Sequence, residues 1–219
     1  MARPTEGEAS NIIPFRRRAT PPTDRIAACI RFWTEQFDQL TAYLDILRSR
    51  EIQMSDIKFE YPDSEPSTIC TRSFDAPVAL VWKAFTDPVH VIRWWGPKSI
   101  APVKTVEKLD LRTGGEWRFV CESVEDGEKI VFHGVYVDVV PLQKLANSFG
   151  VEGMFPDDPD HPEIHTFEER DGRTYYRSYM LLPDFEARDA MVATGMEKGG
   201  RESMEQLGEL VDDLVRQGA

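Results

Sequence analysis

The sequence has little of what defines a disulfide-rich, zinc-binding or membrane protein. Only three cysteines occur in 219 residues, and no two of them form a C-x-x-C pair. This excludes a disulfide framework and a thiolate zinc site. No apolar run approaches the roughly 20 residues that cross a bilayer, and the polar N-terminus lacks the apolar stretch of a secretory signal. We therefore expect no membrane association and a cytoplasmic location.

The sequence also lacks an excess of positive charge. Its formal net charge is −12, from 26 basic and 38 acidic residues, and the acidic excess lies after residue 58. A domain this acidic repels phosphate backbones, so we expect no binding of nucleic acid by the main body of the chain.

The motifs of several common enzyme classes are missing as well. There is no G-x-S-x-G elbow, Walker-type loop, G-x-G-x-x-G or H-E-x-x-H. The acidic stretch P-D-D-P-D-H-P-E at 156–163 does not have the spacing of an EF-hand, and a solvated loop is expected there. The sequence predicts no catalytic constellation, no metal and no cofactor.

The patterns that are present divide the chain into four parts. Residues 1–22 are polar and contain several prolines, which is typical of a disordered arm. Residues 23–50 have apolar side chains at alternating spacings of 4 and 3, the a/d repeat of an amphipathic helix. Residues 51–66 are polar and predict a linker. Residues 67–216 alternate between strand and helix patterns and predict the folded domain.

The apolar stripe of the 25–48 helix must be buried against something. It packs either on its own main domain or on the same helix of a second chain, which would form a homodimer. The segment F-W-T-E-Q-F-D-Q-L-T-A-Y-L-D (32–45) is similar to the segment that joins ArsR-like winged-helix regulators to a following domain in fused proteins. Only 22 polar residues precede the helix, so dimerisation, not DNA reading, is what the likeness implies.

The dimer hypothesis predicts that charging this stripe gives monomers. Phe37→Glu combined with Leu44→Glu places carboxylates at two seam positions, where burial of unpaired charge is unfavourable. We expect sedimentation velocity to report a dimer for the wild type and a monomer for the double variant. A monomeric wild type, or a double variant that remains dimeric, would contradict the hypothesis.

The pattern from residue 67 onwards predicts an α+β domain. A strand is followed by two short helices, a meander of about six strands and one long helix from Asp184 to about Arg216. An antiparallel sheet with one long helix on its open face is a stable two-layer arrangement.

Several motifs, in order, resemble one known family. They are S-F-D-A-P-V-x-x-V-W-K-A-F-T-D-P (73–88), R-W-W-G-P (93–97), L-D-L-R-T-G-G-E-W-R-F (109–119), H-G-V-Y-V-D-V-V-P (133–141), F-E-E-R-D-G-R-T (167–174) and E-A-R-D-A-M…G-M-E-K-G (186–199). These resemble the START-like (SRPBCC) superfamily, and within it the group named after the activator of heat-shock-protein-ninety ATPase homologues, whose bacterial members include polyketide cyclase-like proteins. The resemblance implies a helix-grip fold, in which a curved antiparallel sheet wraps around the C-terminal helix and encloses a cavity for hydrophobic small molecules.

Strand alternation and the resemblance together suggest which side chains face such a cavity. On this basis His133 shares a face with the alternate valines of its strand, and Met191 shares a helical stripe with Gly195, Gly199 and Ser203. One tryptophan of the adjacent pair is expected in the core and the other at the entrance. The predicted ligand-binding residues are Trp94, Trp95, Trp117, Phe119, His133, His165, Tyr176 and Met191.

Three functions remain open at this stage. The first is binding of a small hydrophobic molecule. The second is a cyclase- or hydrolase-type enzyme that uses His133 or His165 for proton transfer. The third, implied by the family name alone, is partnership with a heat-shock ATPase as a co-chaperone.

Overall fold

A computed structural model of the chain describes residues 56–154 and 157–218. The predicted arm at 1–22, the helix at 23–50 and its dimer interface lie outside the described residues. Within the described part, no helix has both the length and the apolar character needed to cross a membrane.

Nine strands form one antiparallel sheet, as the meander pattern predicts. Their order across the sheet is β1-β2-β9-β8-β6-β5-β4-β3, with β7 paired to β5. The strands are β1 Lys58–Glu60, β2 Ser67–Phe74, β3 Val103–Leu109, β4 Glu116–Glu122, β5 Lys129–Val140, β6 Lys144–Asn147, β7 Gly150–Val151, β8 Glu163–Arg170 and β9 Arg173–Leu181.

Four helices are described. Two short ones, α1 (Val78–Thr86) and α2 (Pro88–Trp94), lie between β2 and β3. Asp87 ends the first and caps the second, since its side chain accepts a hydrogen bond from the Val89 amide at 3.0 Å. Two more, α3 (Phe185–Ala193) and α4 (Met196–Gln217), follow β9.

The C-terminal helix α4 supplies the helical side of the core. Its apolar residues Leu207, Leu210, Val211 and Leu214 are almost fully buried. They belong to one hydrophobic cluster with side chains from the sheet and from the two short helices. The helix packing on the curved sheet confirms the α+β helix-grip prediction.

The prediction of one continuous helix from Asp184 to Arg216 is wrong. The chain breaks at Gly195, whose φ of +80° lies in the left-handed region that glycine adopts without strain. Thr194 ends α3 and Gly195 caps α4. Met191 therefore lies on a different helix from Gly199 and Ser203, and the predicted stripe does not exist.

The predicted linker at 51–66 contains a strand. β1 pairs antiparallel with β2, and Phe59 is opposite Cys70. Ile57 is buried, and Phe59 packs partly against the core. This strand was missed because only a few residues alternate there, and their polar neighbours are typical of a linker.

Candidate functional site

A small cavity lies between the sheet and the two short helices. Its volume is about 60 Å³. Rings and aliphatic side chains form most of the wall, and three polar side chains from β6 and β8 form one end. The lining residues are Phe85, Val91, Trp94, Trp95, Trp117, Phe119, Tyr136, Leu145, Asn147, Phe149, Glu163 and His165.

The two adjacent tryptophans have different environments. Trp94 is only 5% exposed, and its indole N–H donates to the Ala84 carbonyl at 2.9 Å. Its ring lies 4.8 Å from the ring of Phe85. A buried indole with its N–H satisfied is a core residue, so Trp94 both packs the core and forms part of the cavity wall.

Trp95 forms the outer wall of the cavity. Its ring is partly buried and contacts the rings of Trp117, Phe119 and Phe132, with centroids 6.2, 5.3 and 4.9 Å away. The same residue also lines a separate groove at the surface. Trp95 is therefore common to the linings of the cavity and of that groove.

The surface groove is larger than the cavity, at about 220 Å³, and more polar. An ion pair between Arg93 and Asp213, with nitrogen and oxygen 2.7 Å apart, lies on its wall. The remaining lining residues are Ile92, Trp95, Gly96, Lys98, Pro102, Gln206, Glu209 and Leu210.

The backbone around Trp95 is fixed by the buried amide of Gln206. Its Nε2 donates to the carbonyls of Trp94 at 2.8 Å and Gly96 at 3.0 Å, and its Oε1 accepts from the Lys98 amide at 2.9 Å. Gly96 has φ +76°, and a Cβ there would lie 2.5 Å from the Ala101 carbonyl oxygen. The turn after the tryptophans is thus held in place on both sides, while the Trp95 ring remains partly exposed.

The polar end of the cavity is built around His165. Its Nδ1 lies 2.8 Å from the Tyr176 hydroxyl, and its Nε2 lies 3.7 Å from a carboxylate oxygen of Glu163. Glu163 and His165 are two positions apart on β8, so they point to the same face. Asn147 is opposite Glu163 on β6.

Burial determines the protonation of this cluster. It lowers the pKa of His165 below its ordinary value, although the Glu163 carboxylate acts in the opposite direction. Burial also raises the pKa of Tyr176 well above its ordinary value. Both side chains are therefore neutral near pH 7.

Acid should destabilise the fold in part through His165. Since its pKa is lower in the folded chain than in the unfolded chain, the stability it contributes is present above about pH 6.5 and is lost as the pH falls through the folded value. The lowered pKa of His90 acts in the same direction. We expect His165→Gln to reduce the slope of the unfolding free energy between pH 7 and 5, measured by urea denaturation.

The matched control for this experiment is His161→Gln. His161 lies in the loop before β8 and contacts Asp158, not the cavity. Because His161 lies outside the buried cluster, its substitution shows how much of any slope change comes from loss of a surface histidine. Equal slopes for the wild type and the His165 variant would contradict the assignment.

Five predicted ligand-binding residues line the cavity, namely Trp94, Trp95, Trp117, Phe119 and His165. Tyr176 is not among the lining residues, but it is buried and bonds to His165, which is. Met191 is not among the lining residues and lies on α3. Whether any of them binds a ligand stays a prediction.

The predicted orientation of His133 is wrong. On β5 the residues that face the core are Phe132, Gly134 and Tyr136, so His133 points to the opposite face. There its Nδ1 lies 3.9 Å from the Asp157 carboxylate. His133 is therefore not available to a ligand in the cavity.

Sequence reasoning missed Phe85, Phe149, Asn147 and Glu163. A signal for Glu163 was present in its two-residue spacing from His165, which places both on one strand face. Glu163 is the first residue of β8, where the preceding Pro162 and the acidic loop at 156–163 obscure the start of the strand pattern.

Among the described residues, no group of three or more histidine, cysteine or acidic side chains could hold a metal ion. The arrangement instead offers an apolar, largely aromatic wall with a hydrogen-bonding cluster at one end. Such a wall with a few convergent polar groups is typical of small-molecule sites.

The fold and cavity define a START-like helix-grip protein. The family described as Activator of Hsp90 ATPase homolog 1-like protein matches residues 75–212. The chain belongs to this family, which confirms the resemblance drawn from the sequence motifs. None of the curated proteins matches the chain.

Solved structures agree with this assignment. Protein Ms6760 from Mycobacterium smegmatis is 24% identical with a TM-score of 0.63, covering 72% of this chain and 98% of that one. A protein from Arthrobacter aurescens is 23% identical with a TM-score of 0.64, covering 72% and 92%. Protein NE0264 from Nitrosomonas europaea is 25% identical with a TM-score of 0.60, covering 69% and 97%. These likenesses establish the shared fold.

Proposed function

We propose that this protein binds a small, mainly hydrophobic molecule in the cavity between the sheet and the helices. The observation that carries the proposal is the lining, in which rings form most of the wall and polar groups gather only at one end. The apolar wall favours the binding of any apolar molecule that fits, whereas hydrogen bonds at the polar end determine the orientation of the bound molecule.

The resting cavity is smaller than the ligand sites of most proteins. Its volume is about 60 Å³, whereas small-molecule sites span about 300–1,000 Å³. Rotation of the Trp95 ring would join the cavity to the surface groove of about 220 Å³. The combined space approaches the lower end of the usual range, so we propose that ligand entry displaces Trp95.

Native mass spectrometry tests this proposal. Protein purified gently from its own cell extract should carry a reproducible added mass of small-molecule size that is lost on denaturation. Leu145→Phe fills the cavity wall and should reduce the bound fraction, since Leu145 is 5% exposed and lines it. Leu181→Phe, at the exposed end of β9, is the matched control.

The outcome that would contradict the proposal is bare protein mass in the wild type across several preparations. Equal loss of the added mass in both leucine variants would also count against the cavity as the binding site.

A second candidate function is catalysis by His165. The hydrogen bond to Tyr176 and the nearby Glu163 carboxylate resemble the orientation that a general acid or base requires. The distinguishing result is chemical change of the bound molecule in wild-type protein that is lost in His165→Gln while binding persists. Unchanged release of the molecule by the wild type would rule out this candidate.

A co-chaperone role is a third candidate, and the family name alone supports it. Fold does not determine function, so the name is weak support. A pull-down with a heat-shock ATPase should recover a stable complex if the role is real, and an empty pull-down would count against it.

We propose a cytoplasmic location, and the described cysteines are compatible with it. Cys70 and Cys121 are both buried free thiols. Burial raises the pKa of each thiol to about 12. Reduced, unreactive thiols of this kind suit a reducing compartment.

A further inference from the structure

We propose that Glu163 and His165 together recognise a hydroxyl group, so that the ligand is a phenol or alcohol with an apolar body. This inference rests on the proposed function of the cavity and specifies the class of molecule it takes. It follows from the spacing of two polar atoms, from the protonation of the imidazole and from the absence of a cation in the cavity wall that the structure describes.

The spacing leaves both polar atoms facing the same gap. The distance of 3.7 Å between His165 Nε2 and Glu163 Oε2 is too long for a direct hydrogen bond. An oxygen atom can lie about 2.8 Å from both His165 Nε2 and Glu163 Oε2 at the same time, which is the ordinary length of a hydrogen bond. A single ligand oxygen can therefore contact both residues.

The surrounding hydrogen bonds assign the proton on His165. The Glu163 carboxylate oxygen lies 3.7 Å from His165 Nε2 and favours a hydrogen on that nitrogen. The Tyr176 hydroxyl then donates to His165 Nδ1 at 2.8 Å. The neutral imidazole carries its hydrogen on Nε2, where the nearby Glu163 carboxylate stabilises it.

The gap thus presents one donor, His165 Nε2–H, beside one acceptor, the Glu163 carboxylate. A hydroxyl group matches this pair because it accepts one hydrogen bond and donates another. An ether or ketone would leave the carboxylate without a donor. A primary ammonium group would leave the imidazole N–H without an acceptor, and an unpaired buried donor is unfavourable.

Charge argues against an acidic ligand. The residues that line the cavity include no lysine or arginine, and Glu163 is negatively charged. A ligand carboxylate would lie beside Glu163 in an apolar wall, where repulsion between like charges is weakly screened. The polar end of the cavity is therefore selective for a neutral hydroxyl.

Three matched probes test this selectivity, namely p-cresol, toluene and 4-methylbenzylamine. They share an aromatic ring with one methyl group and differ in the polar substituent. Binding is followed by NMR titration of the tryptophan indole N–H signals, since the Trp117 indole donates to the Ser148 carbonyl at the cavity wall. We expect the wild type to bind p-cresol about tenfold more tightly than toluene, the effect of one charge-assisted hydrogen bond.

Two variants remove the recognition and keep the cavity. Glu163→Val deletes the acceptor, and His165→Phe deletes the donor, each with a residue that suits a strand. Both should lose the preference for p-cresol while they still bind toluene, at least as tightly as the wild type does because the wall becomes more apolar. Retained toluene binding shows that the fold and cavity are intact. Glu168→Val is the matched control on the exposed part of β8 and should keep the full preference.

The outcomes separate this inference from the proposed function. Wild-type protein that binds toluene and p-cresol equally would overturn hydroxyl recognition and leave cavity binding standing. Tighter binding of 4-methylbenzylamine than of p-cresol would overturn the ligand class and indicate an amine site. Failure of all three probes to bind would overturn the proposed function, and the inference with it.

Discussion

Trp94→Ala should lower the free energy of unfolding by about 3–5 kcal/mol, the usual range for removal of a buried large aromatic side chain. Trp94 is 5% exposed, and its ring packs against Phe85. The substitution leaves a void and removes the donor to the Ala84 carbonyl at the end of α1. Urea denaturation at 25 °C measures the change.

Trp95→Ala is the paired experiment, because it removes the same side chain one residue later. The ring is only partly buried, so we expect a clearly smaller loss of stability than for Trp94. Removal of the wall between cavity and groove should accelerate the association of p-cresol, measured by NMR line shape. A stability loss as large as that of Trp94→Ala would assign Trp95 to the core instead.

Gly134→Ala adds only one methyl group, but it should strongly lower the free energy of unfolding. A Cβ at Gly134 would lie 2.2 Å from the Ser148 carbonyl oxygen and 2.7 Å from the Trp117 indole nitrogen. That carbonyl accepts hydrogen bonds from Trp117 at 3.2 Å and from the Asn147 amide at 3.2 Å, so it has little freedom to move. We expect a loss of about 3 kcal/mol, at the upper end for overpacking, in urea denaturation.

Gly199→Ala is the control for this prediction. The same methyl group there would meet the Pro97 ring at 3.4 Å, an ordinary contact, within the first turns of α4. Alanine favours the helix over glycine, so stability should rise by up to about 1 kcal/mol. Equal effects of the two substitutions would show that close approach at Gly134 is not the cause.

The sequence predicted most of the sheet because its strands are buried on one face. In β4, Trp117, Phe119 and Cys121 alternate with polar or less buried residues, and the structure buries all three. In β5 (Lys129–Val140), by contrast, both faces of the strand carry apolar residues. The pattern alone gave no preference between the two faces, and the buried face is the one that carries Phe132 and Tyr136. This ambiguity explains the error on His133.

The helical stripe failed for a different reason. The predicted stripe runs through Gly195, whose left-handed φ ends one helix and begins the next. Glycine destabilises the interior of a helix because its φ is unrestricted. The same freedom lets it adopt the left-handed conformation that ends a helix. Helical spacing cannot be counted across such a residue, because a new helix begins there. For this reason Met191 does not share a helical face with Gly199 and Ser203.

The cavity was only partly predictable because its wall joins segments that are distant in sequence. Glu163 of β8 and Phe85 of α1 line the same cavity only because the sheet curves around the helices. Aromatic residues in strands indicate a core in general, and the tertiary fold decides which of them border an empty space. His165 was identified because it shares a strand face with Phe167, and a polar group in an apolar cavity needs a hydrogen-bond partner.

The hydrogen bonds of Gln206 to the backbone around Trp95 affect how quickly a molecule could enter the cavity. Since the carbonyls on both sides of Trp95 are tied to α4, the backbone there does not need to move when the ring does. Exchange through this wall then requires rotamer changes of one indole and its neighbouring rings, which are fast compared with the microsecond-to-millisecond opening of hinged lids. The time for which a bound molecule stays in the cavity would then depend on its affinity and not on a slow movement of the chain.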